Sequence, residues 1–415
     1  MNDIFDERRP KWWNAVAVVL AAFAPTSVAL ADIISDRSTP ELQLPAAGSD
    51  SLEERVGVRT GALEWYPAVS TALAYDSNLF ATDGPRTAEG LSVTEATVAL
   101  QSDSSSLQTE GAAFLRARRF ARTSDQDTTE GGAALRLATP EGLANRVTAR
   151  LRADRRFESR TDVETPDIRP VSLYDEVRAD ADYRHVFSRF TLQPSVSAGQ
   201  IQYGQSSQRF RDRSSYSGEL RGAYALTPDF SLVASGRYGR DAFRGSSPFV
   251  ASANTGAALV GMHVALPEVL ELELLGGYFK RRFDHDAGGI SGVSLQGALT
   301  WYPTRLLTVR SALLREDEPT GLPGALAKVR TEASVELRHE YSRAFDLFVR
   351  GKRVTDDFKV VQRKDKAFAG EAGAQYRITS HWHVEFEYDY AARDTAQLGS
   401  SFSRHVVSLA FIGRL

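Results

Sequence analysis

The chain has 415 residues, no cysteine and a formal net charge of −3 from 50 basic and 53 acidic side chains. The missing cysteines exclude disulfide staples and thiolate metal sites, and the balanced charge leaves no nucleic-acid footprint. No stretch approaches about eighteen consecutive apolar residues, so the chain is not a helical membrane protein.

Residues 1–31 read as a secretory signal. Arg8, Arg9 and Lys11 form a basic start, Ala15 to Ala24 an apolar run, and Ala29-Leu30-Ala31 a small-x-small cleavage site, with Asp32 as the mature start. That apolar run is too short to span a bilayer. Residues 32–60 hold Pro40, Pro45 and Gly48 among mixed charges with no period. They read as a periplasmic linker, and they could plug a barrel from below. The barrel itself is expected over residues 61–415.

From about residue 100 a hairpin unit recurs roughly every forty residues, as repeated two-strand units do. Its turns fall near Ser104, Pro140, Phe187, Thr227, Pro267, Thr304, Ser342 and Thr379. The strands between them alternate. Val147, Ala149 and Leu151 oppose Thr148, Arg150 and Arg152; Val177, Ala179, Ala181 and Tyr183 oppose Glu176, Arg178, Asp180 and Asp182. Later, Ala333, Val335, Leu337, His339 and Tyr341 oppose Glu332, Ser334, Glu336, Arg338 and Glu340. The clearest strand is 381–390. There Trp382, Val384, Phe386, Tyr388 and Tyr390 share one face, and His381, His383, Glu385, Glu387 and Asp389 the other.

Apolar-out, polar-in alternation over segments of about ten residues is the pattern of a membrane barrel, which must close because hydrocarbon satisfies no backbone group. Longer polar loops near 81–90, 122–130, 158–173, 205–213, 243–251, 284–292, 316–328, 356–366 and 394–401 alternate with the short turns. The expectation is an all-β, transmembrane, antiparallel up-and-down barrel of 18 strands, with 16 as the alternative. Both termini and the short turns then face the periplasm. Tyr183, Tyr224, Trp301, Tyr341 and Tyr376 end strands just before turns and Trp382 begins one just after, so these six are expected to form an aromatic girdle at that rim. Pro67 and Pro194 fall inside strands, where a proline removes a ladder bond.

The segment Gly61-Ala62-Leu63-Glu64-Trp65-Tyr66-Pro67, with Tyr75-Asp76-Ser77-Asn78-Leu79-Phe80, resembles the opening of the "putative β-barrel porin 2" outer-membrane family. Trp301-Tyr302-Pro303-Thr304 with Leu306-Leu307-Thr308 and Arg315-Glu316 resembles that family's recurring hairpin. The likeness covers about residues 55–415. It implies a bacterial outer-membrane barrel, often linked to surface polysaccharide, with no established catalytic residues.

Candidate chemistry is sparse. There is no Gly-rich phosphate loop, no Gly-x-Ser-x-Gly elbow and no His-Glu-x-x-His. His381 and His383 share a face with Glu385 and Glu387, but such spacing on one strand more often lines a wet wall than seats a metal. His339 lies on the lipid face with no serine to match it. The reading is therefore no enzyme, no catalytic or metal site and no cofactor.

The inward charges carry more. Arg116, Arg118, Arg136, Arg150 and Arg152 come from early strands; Glu332, Glu336, Glu340, Glu385, Glu387 and Asp389 come from late ones. As opposed walls they would set a transverse field across a wet pore; paired between neighbours they would instead stabilise a filled interior. The functional expectation is a passive porin-like channel or a conduit linked to polysaccharide export. A structural or assembly barrel with a filled lumen is the alternative, and a membrane hydrolase ranks below both. Expected partners are outer-membrane lipid, with polysaccharide-export machinery or small polar solutes, and no nucleic acid. Loop 158–173 could fold inward and narrow the lumen.

Overall fold

A computed structural model of the chain describes residues 57–414 apart from 105, 141–143, 163, 165–170, 245–249, 285–287, 362 and 396–399. The expected signal (1–31), most of the linker (32–56) and Leu415 lie outside these residues.

The first strand, β1 (Val58–Thr60), forms a small hairpin with the start of the next, Val58 opposite Trp65. Then come β2 (Leu63–Asp76), β3 (Glu89–Asp103), β4 (Gln108–Phe120), β5 (Thr128–Ala138), β6 (Asn145–Phe157) and β7 (Leu173–Phe187). They are followed by β8 (Phe190–Tyr203), β9 (Arg213–Thr227), β10 (Phe230–Phe243), β11 (Ala253–Leu266), β12 (Leu270–Phe283) and β13 (Gly289–Thr304). The last six are β14 (Leu307–Glu318), β15 (Ala327–Ser342), β16 (Phe345–Lys359), β17 (Arg363–Arg377), β18 (Trp382–Thr395) and β19 (Phe402–Arg414).

Each strand from β2 to β19 pairs antiparallel with the next, and β19 returns to β2 from Val406 opposite Asp76 to Arg414 opposite Ala68. The result is a closed 18-strand barrel. All eight expected short turns fall between strands. Two expected loops are shorter than the polar composition suggested: β16 and β17 run on to a connection over 360–362, and β13 begins at Gly289. Polar residues there extend the ladder rather than leave it, because inward positions above the membrane need no apolar partner.

The prolines sit where the ladder tolerates them. Between β7 and β8 the register runs from Asp182 opposite Ser195 directly to His185 opposite Leu192, so the ladder lapses at Pro194. Pro67 opposes Val98 on β3 but lies one residue below the last β19 partner, Ala68. A proline has no N–H to give, and at these two places fewer neighbours ask for one.

Alternation assigns the faces. Along β12, Glu271, Glu273, Leu275, Phe279, Arg281 and Phe283 are buried while Leu274, Tyr278, Lys280 and Arg282 are exposed. Val69, Leu73, Leu115, Leu151, Val196, Val260, Val349 and Leu409 project outward from strands all round the ring, each around half exposed or more. A water-soluble sheet would bury such residues; here they form the belt that a lipid bilayer covers. Buried inward clusters, such as Val233, Ala257, Leu259, Leu275 and Phe279, pack one arc of the wall.

Candidate functional site: a half-open lumen

The lumen has two unlike halves. Near the turns of β14–β16, inward side chains meet water and form a ladder of opposite charges, while elsewhere at that end Glu271, Glu273, Arg136 and His383 are buried. Arg310 on β14 donates to Glu336 on β15 at 3.2 Å, Arg350 on β16 donates to Glu336 at 2.9 Å, and Arg350 reaches Glu371 on β17 at 2.5 Å. Three of these groups are only partly shielded, Arg310 at 48 %, Arg350 at 35 % and Glu336 at 25 % exposed, whereas Glu371 is buried. Pairs this wet add little stability, about 0–1 kcal/mol each. Their effect is to line the inward face of β14–β16 with polar groups.

Near the long loops the lumen is filled. The β6–β7 connection turns inward and crosses it. Glu158 accepts from Arg211 at 3.0 and 2.5 Å, and that guanidinium lies 4.4 Å from the centre of the Tyr203 ring. The carbonyl of Thr161 accepts from Arg393 of β18, and Arg160 donates to Gln126 at 3.1 Å. Glu164 reaches the far wall. It accepts from the Thr320 hydroxyl at 3.0 Å, the Gly321 N–H at 2.8 Å and the Lys328 ammonium at 2.9 Å. Lys328 is on β15, which faces β6 across the ring. The crossing segment is thus a strap anchored on opposite walls.

A second element meets it. Above Arg315 the β14–β15 hairpin parts from β13 and leans over the lumen. Asp317 there accepts from Arg281 and Thr255, each at 3.1 Å, and Glu316 accepts from Arg237 at 3.0 Å. Glu318, Lys328, Arg330 and Asp356 close the space beneath, with Arg330 4 % exposed and Lys328 7 %.

Burial sets the electrostatics of the strap. It acts to raise the Glu164 carboxyl, but the Lys328 ammonium and the Arg211 guanidinium win and hold it down to about 2. At Glu158 burial wins over Arg211 and pushes the carboxyl up. The strap is therefore fixed on the far wall by a strongly ionised group. Near β6 it is fixed by a desolvated one that depends on its guanidinium partner.

The eleven expected lumen residues take the following places. Arg116 bonds Glu95, Arg118 lies 3.1 Å from Glu130, Arg136 2.6 Å from Glu110 and Arg150 3.0 Å from Asp182, while Arg152 bonds Asp154. Among the late acids, Glu332 holds Lys352 at 2.7 Å and Glu336 holds Arg310 and Arg350. Glu340 is exposed near the turn end, Glu385 is half-buried, and Glu387 and Asp389 are buried. The separation into a basic and an acidic wall does not hold. Early strands bring Glu95, Glu110, Glu130, Asp154 and Asp182 beside the arginines, and late strands bring Lys328, Lys352 and Arg350 beside the acids. Reading each sector by its most frequent charge hid its partners.

One acidic cluster does persist: ligand oxygens of Glu371, Glu387 and Asp389 lie within 4.8 Å of one another. His383 is buried on the same face, whereas His381 lies exposed in the preceding turn. His339 packs against Tyr341 at a ring separation of 6.3 Å.

On the outside, the six expected girdle residues are all exposed, from Tyr183 at 41 % to Tyr341 at 69 %. A second aromatic level is also present. Tyr75, Tyr216, Tyr238, Tyr278, Phe368 and Tyr388 project outward toward the loop end. The signal was in the sequence: Tyr216 precedes Tyr224, and Phe368 precedes Tyr376, by eight positions on one strand face. Eight residues of a tilted strand rise about 20 Å, close to an apolar band of about 25 Å.

A closed barrel with an apolar belt between two aromatic levels and a polar interior is a porin-like outer-membrane β-barrel. The chain belongs to the family described as "putative beta-barrel porin 2", whose profile matches residues 53–414. No curated protein matches it. Among solved structures, it is similar to Pseudomonas aeruginosa OpdK, crystallised with vanillate (10 % identity, 85 % of this chain and 99 % of that one, TM-score 0.45). It is likewise similar to Acinetobacter baumannii OccAB3 (11 %, 85 % and 99 %, TM-score 0.44). The FrpB iron transporter of Neisseria meningitidis is a third (8 %, 83 % and 63 %, TM-score 0.46).

Proposed function

We propose that this barrel is a passive outer-membrane channel for small polar solutes. It has a wide vestibule on the turn side and a selective constriction at the strap. The observation that carries the reading is a contrast within one lumen: Arg310, Glu336 and Arg350 at the turn end of β14–β16 are wet, while the inward charges at the loop end are buried around Glu158, Thr161 and Glu164. A lumen filled along its whole length would instead favour a structural barrel. The signal at 1–31, the linker at 32–60 and a periplasmic turn side belong to the same reading. Sequencing the membrane-extracted protein tests the first of these, since any start other than Asp32 overturns that cleavage site.

The link to surface-polysaccharide export rests on family likeness. A polymer strand would need the strap to leave the lumen, so small solutes fit the described lumen better. The test is reconstitution of the full chain in planar bilayers and in liposomes with a size series of sugars. The expected result is small, steady conductance and swelling with monosaccharides but not with longer oligomers. Neither conductance nor swelling would sink the channel reading and leave the filled structural barrel.

A further inference from the structure

The outward face of β10, β11 and β12 at the loop end carries a cluster of basic side chains. Across it, Arg240 on β10 opposes Asn254 on β11, which opposes Arg282 on β12. One level lower, Tyr238 opposes Gly256, which opposes Lys280. Below that Ala258 opposes Tyr278, and Tyr216 on β9 flanks Arg240. At the upper two levels the middle strand thus presents a smaller residue between two taller ones, and at Ala258 the furrow widens toward Gly236 on β10. At Gly256 even an added Cβ would meet nothing closer than 4.0 Å. The furrow runs down β11 over Ala258 to Val260, which is 67 % exposed.

Three cations stand at its head. Arg240 is held in place by Asp284, at 2.7 and 3.3 Å, and by Asn254 at 3.2 Å. Lys280 and Arg282 are exposed and have no ion-pair partner among the described residues. Arg240 and Arg282 are two strands apart, about 10 Å between backbones, so their long side chains and that of Lys280 can converge on one anion. Among the described residues, with Asp284 counted, the head of the furrow keeps an excess of positive charge.

An apolar furrow in the lipid belt with cations at its upper end and tyrosines beside it matches a ligand with acyl chains below and phosphate above. We propose that this face binds the phosphorylated glycolipid of the outer leaflet. Arg240, Lys280 and Arg282 would hold a phosphate, and β11 would seat an acyl chain. The inference rests on the membrane orientation given above, not on conductance. Aqueous anions would lack the furrow's contribution, and zwitterionic lipid would lack the net charge.

The test uses the full chain in phosphatidylcholine nanodiscs, alone or doped with bis-phosphorylated lipid A or its dephosphorylated form. Retained lipid is read by native mass spectrometry. Wild-type protein is expected to retain the phosphorylated form at least about tenfold better than the dephosphorylated one. The Lys280→Ala/Arg282→Ala double variant, altered only at exposed outward positions, should lose most of that preference at unchanged conductance. Equal retention of both lipid forms, or full preference in the double variant, overturns the proposal. So does complete competition by inorganic phosphate alone, which would indicate a simple anion site. Flotation of the loaded discs reads insertion separately. A protein that inserts and prefers the phosphorylated lipid but does not conduct overturns the channel reading and leaves this one standing.

Discussion

At the residue scale, the strap depends on two carboxylates in different electrostatic situations. Glu158 is buried, raised by burial and countered by Arg211. Arg211→Met keeps the length of the side chain but leaves a desolvated carboxylate unpaired, at an expected cost of about 3–5 kcal/mol. Urea unfolding in lipid vesicles reads that cost, and it should grow with rising pH. A raised carboxyl favours the protonated form, so stability is present below the unfolded value and lost as pH climbs through the folded one. Glu164 is the opposite case. Held at about 2, it contributes stability above the unfolded value of about 4.3 that is lost as pH falls toward 2. Channel recordings should therefore show a stable wild-type level at pH 5 to 7 and rising conductance only in stronger acid. Glu164→Gln should show the higher level throughout; a variant indistinguishable from wild type at neutral pH would mean the strap has other anchors.

At the element scale, the wall between β11 and β12 is set by close backbone approach. A Cβ on Gly277 would fall 1.9 Å from the Ala258 carbonyl oxygen, and one on Gly261 1.9 Å from that of Leu274. Neither collision involves a movable side chain, so a strand must shift. Gly277→Val is expected to destabilise the barrel by about 1–3 kcal/mol or more, seen as a lower thermal midpoint of the folded band on unboiled gels. An unchanged midpoint would show that the pair relaxes freely. The strands themselves were legible in the sequence because a period of two needs no knowledge of neighbours. The eight short turns and the inward direction of Arg116, Arg136 and Glu387 follow from it. What the chain did not disclose is where ladders end. Charged residues near 356–366 suggest a loop, but charge is tolerated in a strand where inward partners meet it, as Arg330 meets Asp356 and Arg363 meets Asp365.

At the scale of the whole molecule, stability in lipid rests on closure, and closure rests on one ladder between β19 and β2. Ending the chain before Phe402 would bare two edges to hydrocarbon, with unpaired backbone groups costing several kcal/mol each. No heat-modifiable, membrane-inserted species is expected from that truncation. Its appearance would show that β18 and β2 can pair in a smaller ring.

The sequence by itself determined the class of the molecule, a closed barrel of about eighteen strands, and the alternation of faces along its clearest strands, because alternation and turn chemistry are local. The tertiary structure alone decided how the lumen is used. Glu164 and Lys328 are 164 positions apart, and Thr161 and Arg393 are 232 apart. No local pattern couples such residues. They meet because a ring of eighteen strands places β6 opposite β15, and because an inward loop must satisfy its buried polar groups on whichever wall it reaches. For the same reason the walls that looked basic and acidic along the chain are paired across their neighbours in space. The wet sector of β14–β16 and the filled loop end follow from that ring and could not be read from its strands one at a time.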